Sequence, residues 1–105
     1  MNNIAFLMNR KGEWRLSPAY DVTYAWNPFG TWTSRHQMSM NGIRKGIDRE
    51  DLIALGSLAG LKKRKCNELI DRVVLAFEKW PEIAEKVDVS ENRVSEIGER
   101  LLLDL

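Results

Sequence analysis

The feature that most restricts this chain is an apolar stripe with helical period. Cys66, Leu69, Ile70, Val73, Val74, Phe77 and Trp80 recur at i, i+3, i+4 and i+7, the spacing of one face of an α-helix. It predicts a helix from about Lys62 to Trp80, after which Pro81 either ends the helix or opens a short one through Val87. A helix also precedes it. Asp48 is a natural N-cap, Glu50 and Asp51 suit the positive end of the helix dipole, and Leu52, Ile53, Leu55 and Leu58 supply apolar positions. Gly60 is the expected stop. Ser90 caps a last helix with Val94, Ile97 and Leu101 on one stripe. The run Leu101-Leu102-Leu103 with Leu105 is wider than a single helix face, which predicts that this segment docks onto something.

The first third has a different character. It holds three of the four tryptophans, both tyrosines and two of the three prolines. Residues 4–8, Ile-Ala-Phe-Leu-Met, read as a strand apolar on both faces. Asn9 to Glu13 form a turn, with Gly12 free to take a left-handed conformation. Trp14-Arg15-Leu16 returns antiparallel, and Pro18 ends the ladder because it has no N–H to donate. From Ala19 to Arg35 no period is visible, and Asn27-Pro28-Phe29-Gly30 marks a turn. An irregular stretch of 17 residues is long for a connection, and such loops often carry function. Gln37 to Met40 read as a short strand closed by Asn41-Gly42. The class is α+β, mainly α: an N-terminal β-hairpin followed by a three-to-four-helix bundle. The whole of 1–105 reads as one domain, with a hairpin-and-loop part at 1–43 and a helical part at 44–105.

Charge and composition remove several function classes. Sixteen basic residues against fifteen acidic ones give a net charge of +1, whereas a general nucleic-acid binder or a membrane-surface protein carries a basic excess. No run of roughly 18 apolar residues occurs, so no transmembrane helix is expected. Met1-Asn2-Asn3 lack the positive charge of a signal peptide, and the expected location is the cytoplasm. The lone Cys66 excludes an intrachain disulfide and reads as a small buried hydrophobe on a helix. His36, the sole histidine, has no second His or Cys for a zinc site. The Lys62-Lys63-Arg64-Lys65 run reads first as a solvated face. The competing reading is a phosphate or acidic-partner contact, although cations at a helix start oppose the dipole.

Two residues raise a question of chemistry. Asp21, in Leu16-Ser17-Pro18-Ala19-Tyr20-Asp21-Val22, lies just past the hairpin, where it serves either as a turn-stabilising carboxylate or as a metal ligand. Asn3 stands directly before the first strand. Kinase active sites place an Asn at the end of the catalytic loop, then a short hairpin, then an Asp that chelates magnesium. The dense charge of ATP phosphates requires a magnesium ion held by hard oxygens, and a carboxylate and an amide carbonyl at neighbouring ends of one hairpin can share that task.

Asn3-Ile4-Ala5-Phe6-Leu7-Met8, Gly12, Trp14, residues 16–22, the stretch Thr31 to Gly42 and the Asp48–Leu55 helix start together resemble the HipA-like serine/threonine kinases. The resemblance is most specific from Asn3 to Gly42 and generic beyond Leu61. It implies that the chain is a piece of a protein-kinase-like C-lobe and that the intact protein phosphorylates serine or threonine with Mg²⁺ and ATP. It also implies a place in toxin–antitoxin pairs, with a HipB-like antitoxin as partner. Asp21 matches the family's magnesium-binding Asp, and Asn3 matches the second metal ligand, so these two are the expected metal- and cofactor-binding residues. His36 lies in a family-typical stretch and is assigned structural hydrogen bonding.

The family's Asp-Asp-His, two further residues, then Asn would precede the first strand. That acidic pair, with its proton-accepting Asp, is not among the 105 residues, nor are the phosphate loop and phosphate-pairing lysine of the N-lobe. The resemblance therefore implies no catalytic residue within the chain, no Mg²⁺ or ATP bound by it alone, and dependence on an upstream kinase portion. The alternative is a non-catalytic helical interaction module that binds a HipB-like antitoxin, a split kinase partner or nucleic acid. Exposure of Tyr20, Tyr24, Trp26, Phe29 and Trp32 would further predict self-association.

Overall fold

The computed structural model describes residues 3–105. Strand β1 (Phe6–Met8) pairs antiparallel with β2 (Trp14–Leu16), placing Phe6 opposite Leu16, Leu7 opposite Arg15 and Met8 opposite Trp14. The ladder runs one step further, the Ser17 amide donating to the Ala5 carbonyl at 2.9 Å. The next pair in register, Ile4 with Pro18, is a non-hydrogen-bonded position of the antiparallel ladder, and the strand expected over 4–8 is trimmed at its start. Asn9 organises the turn. Its Oδ1 accepts from the amides of Lys11 (2.9 Å) and Glu13 (3.0 Å), and its carbonyl accepts from Gly12 at 3.0 Å. Gly12 sits at φ +82, where a side chain would be strained.

The helical part contains α1 (Arg49–Leu58), α2 (Lys63–Phe77), α3 (Trp80–Lys86) and α4 (Glu91–Gly98). The α+β, mainly helical class is thus as the sequence indicates. Asp48 caps α1 reciprocally with Asp51: Asp48 Oδ1 accepts from the Asp51 amide at 3.0 Å, and Asp51 Oδ2 accepts from the Asp48 amide at 3.2 Å. The other end closes on Gly60 at φ +79, whose amide donates to Ser57 while Leu61 donates to Gly56, each at 2.9 Å.

Three expectations shift. The long helix stops at Phe77 rather than Trp80, because Pro81 has no N–H for the Phe77 carbonyl and its ring crowds that position. Trp80 and Pro81 instead open α3. Ser90 occupies the N-cap of α4 with extended backbone, yet its hydroxyl makes no capping bond. In place of a Gln37–Met40 strand there is one bridge, Met40 to Ile43, around Asn41 (φ 50) and Gly42 (φ 81). The two-residue turn reverses the chain at once and leaves only that pair in register.

Each helix contributes one buried apolar residue: Ile53, Cys66, Ala84 and Ile97. The Trp80 indole Nε1 donates to the Val94 carbonyl at 3.0 Å, tying α3 to α4. Helix α2 passes so near α1 that a Cβ on Gly56 would lie 2.5 Å from Cys66 Sγ. The described chain divides into two compact units, one ending at Gln37 and the other running Met38–Leu105. No described helix is long and apolar enough to cross a membrane.

Asn41 links the turn to α1, its Nδ2 donating to Asp51 Oδ1 at 3.0 Å. That amide, followed by the Asp48 amide, holds the Asp51 carboxyl below its ordinary value of 3.8. A folded-state pKa below the unfolded one adds stability that is present above 3.8 and lost as pH falls through the folded value. The urea midpoint of the 38–105 unit should therefore drop in acid, and Asn41→Ala should flatten that drop. An unchanged acid slope in Asn41→Ala would remove Asn41 as its cause.

Candidate functional site

The hairpin brings together two residues 18 positions apart. Its open end lies beyond the Ala5–Ser17 pair, so the chain entering β1 and the chain leaving β2 run side by side. There the Asn3 side-chain amide donates from Nδ2 to the Asp21 main-chain carbonyl at 2.9 Å. The orientation of the amide follows from chemistry, since a carbonyl oxygen can accept from the NH₂ group and not from Oδ1. Asn3 Oδ1 is thereby turned away from the Asp21 backbone and accepts no hydrogen bond among the described residues.

Asp21 adopts φ 56, a left-handed conformation that few non-glycine residues hold. Asp tolerates it better than most, but it still costs of order 1 kcal/mol. The Asn3 bond fixes the carbonyl of that residue. The Asp21 carboxylate is exposed and accepts no hydrogen bond among the described residues. Among the described residues it makes no contact of the turn-stabilising kind that the sequence left open. A carboxylate and an amide oxygen, both without a hydrogen-bond partner among the described residues, are hard donors of the kind Mg²⁺ takes. Such an ion takes about six ligands, so this pair could supply only part of its set. Among the described residues no three His, Cys, Asp or Glu side chains come together as a metal set.

The stretch between Ala19 and Arg35 is shaped by its own polar groups. Asn27 Oδ1 accepts from the Phe29 amide, and Asn27 O from Gly30, each at 3.0 Å. The Gln37 Nε2 donates to Trp32 O at 2.7 Å. Phe29 and Trp32 project into solvent at 95% and 74% exposure, while Trp26 is half-buried. His36 is exposed, and its side chain makes none of the hydrogen bonds expected of it among the described residues.

In the basic run, Lys63 Nζ lies 3.3 Å from Glu50 and Lys65 Nζ 2.8 Å from Glu68. The Lys65 bond holds the Glu68 carboxyl below its ordinary range. Half of this run is thus answered by acidic neighbours, which favours the solvated-face reading. Cys66 is a buried free thiol, as its helical position suggests.

Sequence reasoning missed Arg49. Its Nη1 donates to Asn67 Oδ1 at 2.8 Å, and its Nη2 donates to Asp71 Oδ1 and to the Leu105 carbonyl, both at 2.7 Å. Partners 18 to 56 residues away leave no local signal.

A family model described as HipA-like C-terminal domain matches residues 1–100 of the chain. No curated protein and no solved structure matches it.

Proposed function

Because the chain belongs to the HipA-like C-terminal domain family, we propose that it is the metal-holding portion of a HipA-type serine/threonine kinase. That family belongs to toxin–antitoxin systems, with a HipB-like antitoxin as the general partner. In this reading Asp21 and Asn3 offer a carboxylate and an amide oxygen to the magnesium of Mg–ATP. The proton acceptor and the nucleotide cradle come from residues outside these 105. The observation that carries it is the Asn3–Asp21 contact, which fixes a left-handed Asp at the mouth of a hairpin.

Magnesium, when bound, neutralises charge on the phosphates. The chain's own residues set where that ion is gripped. β1 and β2 hold the two ends together, Asn3 Nδ2 fixes the Asp21 backbone, and the Asp21 carboxylate then projects from one conformation. Phosphoryl transfer rests on positioning and charge stabilisation, and this chain supplies only one element of each. Alone, it is expected to neither bind ATP tightly nor transfer phosphate.

The experiment is complementation. The chain is mixed with the polypeptide that carries the family's Asp-Asp-His segment and N-lobe, and phosphate incorporation from ATP is measured. Incorporation that needs both chains supports the proposal. None, with both chains folded and bound to each other, refutes it.

Asn3→Asp separates positioning from simple charge counting. A second carboxylate would improve magnesium binding if charge alone mattered. Here it removes the donor to Asp21 O and sets two oxygens against each other. The variant should need more Mg²⁺ for half-maximal phosphate transfer in the complemented kinase. A lower Mg²⁺ requirement would discard the positioning role of Asn3.

The hairpin also supports a partner-binding reading. Phe6, Met8, Trp14 and Leu16 share one face, by register, and are 58–67% exposed. An apolar face of this kind marks a contact surface. In isolation the 105-residue chain should self-associate through it, and Trp14→Ser with Phe6→Ser should reduce this. A single monomeric species at high concentration in sedimentation would contradict the expectation.

A further inference from the structure

We infer that residues 101–105 form a detachable strap on the α1–α2 pair, with Arg49 as its clasp. The segment after α4 is neither helix nor strand, yet its burial alternates. Leu101, Leu103 and Leu105 are half-buried, whereas Leu102 and Asp104 are exposed. Alternate leucines are therefore partly covered, and the Arg49 bond to Leu105 places the end of the run beside α1.

One guanidinium fastens it. Arg49, in the first turn of α1, is pinned to α2 by Asn67 and by the Asp71 carboxylate, and the same Nη2 reaches the Leu105 main-chain oxygen. The planar fork of Arg suits this, because its N–H groups are held in fixed directions and can serve several acceptors at once. The same guanidinium thus joins α1, α2 and the segment beyond α4. The α3–α4 pair is internally tied through Trp80 and Val94. The strap thus closes the α3–α4 pair back onto α1–α2.

Two features make the strap releasable. The bond it accepts is to a main-chain oxygen, so the clasp reads no side chain. The Arg49–Asp71 pair stays behind when the strap leaves, so no buried charge is stranded. Asp71 is itself 56% exposed, and water can replace the lost acceptor.

The test is hydrogen exchange, followed by mass spectrometry, on the whole chain and on Arg49→Met and Arg49→Lys. In Arg49→Met, exchange of the Leu101 and Leu103 amides, the hydrogen-bonded ones of the segment, should rise at least tenfold while the α1 and α2 amides stay protected. Arg49→Lys keeps the charge beside Asp71 without the fork, and should loosen the strap to nearly the same degree. The inference is overturned if the Leu101 and Leu103 amides exchange as slowly in Arg49→Met as in the parent chain. It is overturned equally if that variant loses protection throughout 38–105, because the clasp would then be integral to the unit rather than detachable.

Discussion

If Asp21 holds magnesium as proposed, Asp21→Asn should lower phosphate transfer by the complemented chains about a thousandfold, the loss of several kcal/mol of metal-mediated charge stabilisation. The substitution is chosen for its backbone. Asn holds left-handed φ at least as readily as Asp, so the hairpin and the Asn3 bond to residue 21 should persist. What disappears is the negative charge that the proposal offers to magnesium. The loss should appear mainly in the rate at saturating ATP, with a raised Mg²⁺ requirement, because the ion is gripped most strongly when phosphate charge develops. Asp21→Ala is a poorer probe, since it adds backbone strain to the loss of the ligand. If Asp21→Asn leaves transfer within tenfold of the parent while the hairpin stays folded, the carboxylate does not hold the metal.

The second large effect is on stability. Gly56→Ala within α1 would, by helix propensity alone, stabilise the unit by roughly 1 kcal/mol. Packing reverses the sign. The added methyl would stand 2.5 Å from Cys66 Sγ and 3.6 Å from its Cβ. Cys66 is 4% exposed, so its sulfur has little room to move. Overpacking of this sort costs about 1–3 kcal/mol, and for a unit of this size the melting temperature should fall by about 4–8 °C per kcal/mol. Removing the obstructing atom should rescue the defect. In a double-mutant cycle, Gly56→Ala with Cys66→Ala should be more stable than the sum of the single changes. Simple additivity, or a stabilising Gly56→Ala, would show that the α1–α2 contact is looser than described.

Punctuation residues made much of the helical part legible. Asp48 acts through a carboxylate that reaches its own first turn, and Gly60 and Pro81 act through their backbones, so these local signals show in the sequence. Gly12 and the Asn41-Gly42 pair marked turns for the same reason. Long-range effects were not legible. Where β1 begins depends on how it pairs with β2, and register is a property of the pair of strands. Asn41 reaches Asp51, and Arg49 reaches Leu105, through folding rather than spacing. In the site, the flanking positions of Asn3 and Asp21 were readable from the hairpin pattern. The left-handed Asp21 and the amide that fixes it were not, since nothing in a Tyr-Asp-Val sequence compels φ 56.

The most direct test is to incubate the purified 105-residue chain alone with Mg²⁺ and ATP and follow the terminal phosphate. Neither release nor transfer above the protein-free rate is expected, because a two-oxygen metal corner without a proton acceptor cannot complete the reaction. Turnover by the chain alone that Asp21→Asn abolishes would contradict the account, for these residues would then hold a whole active site.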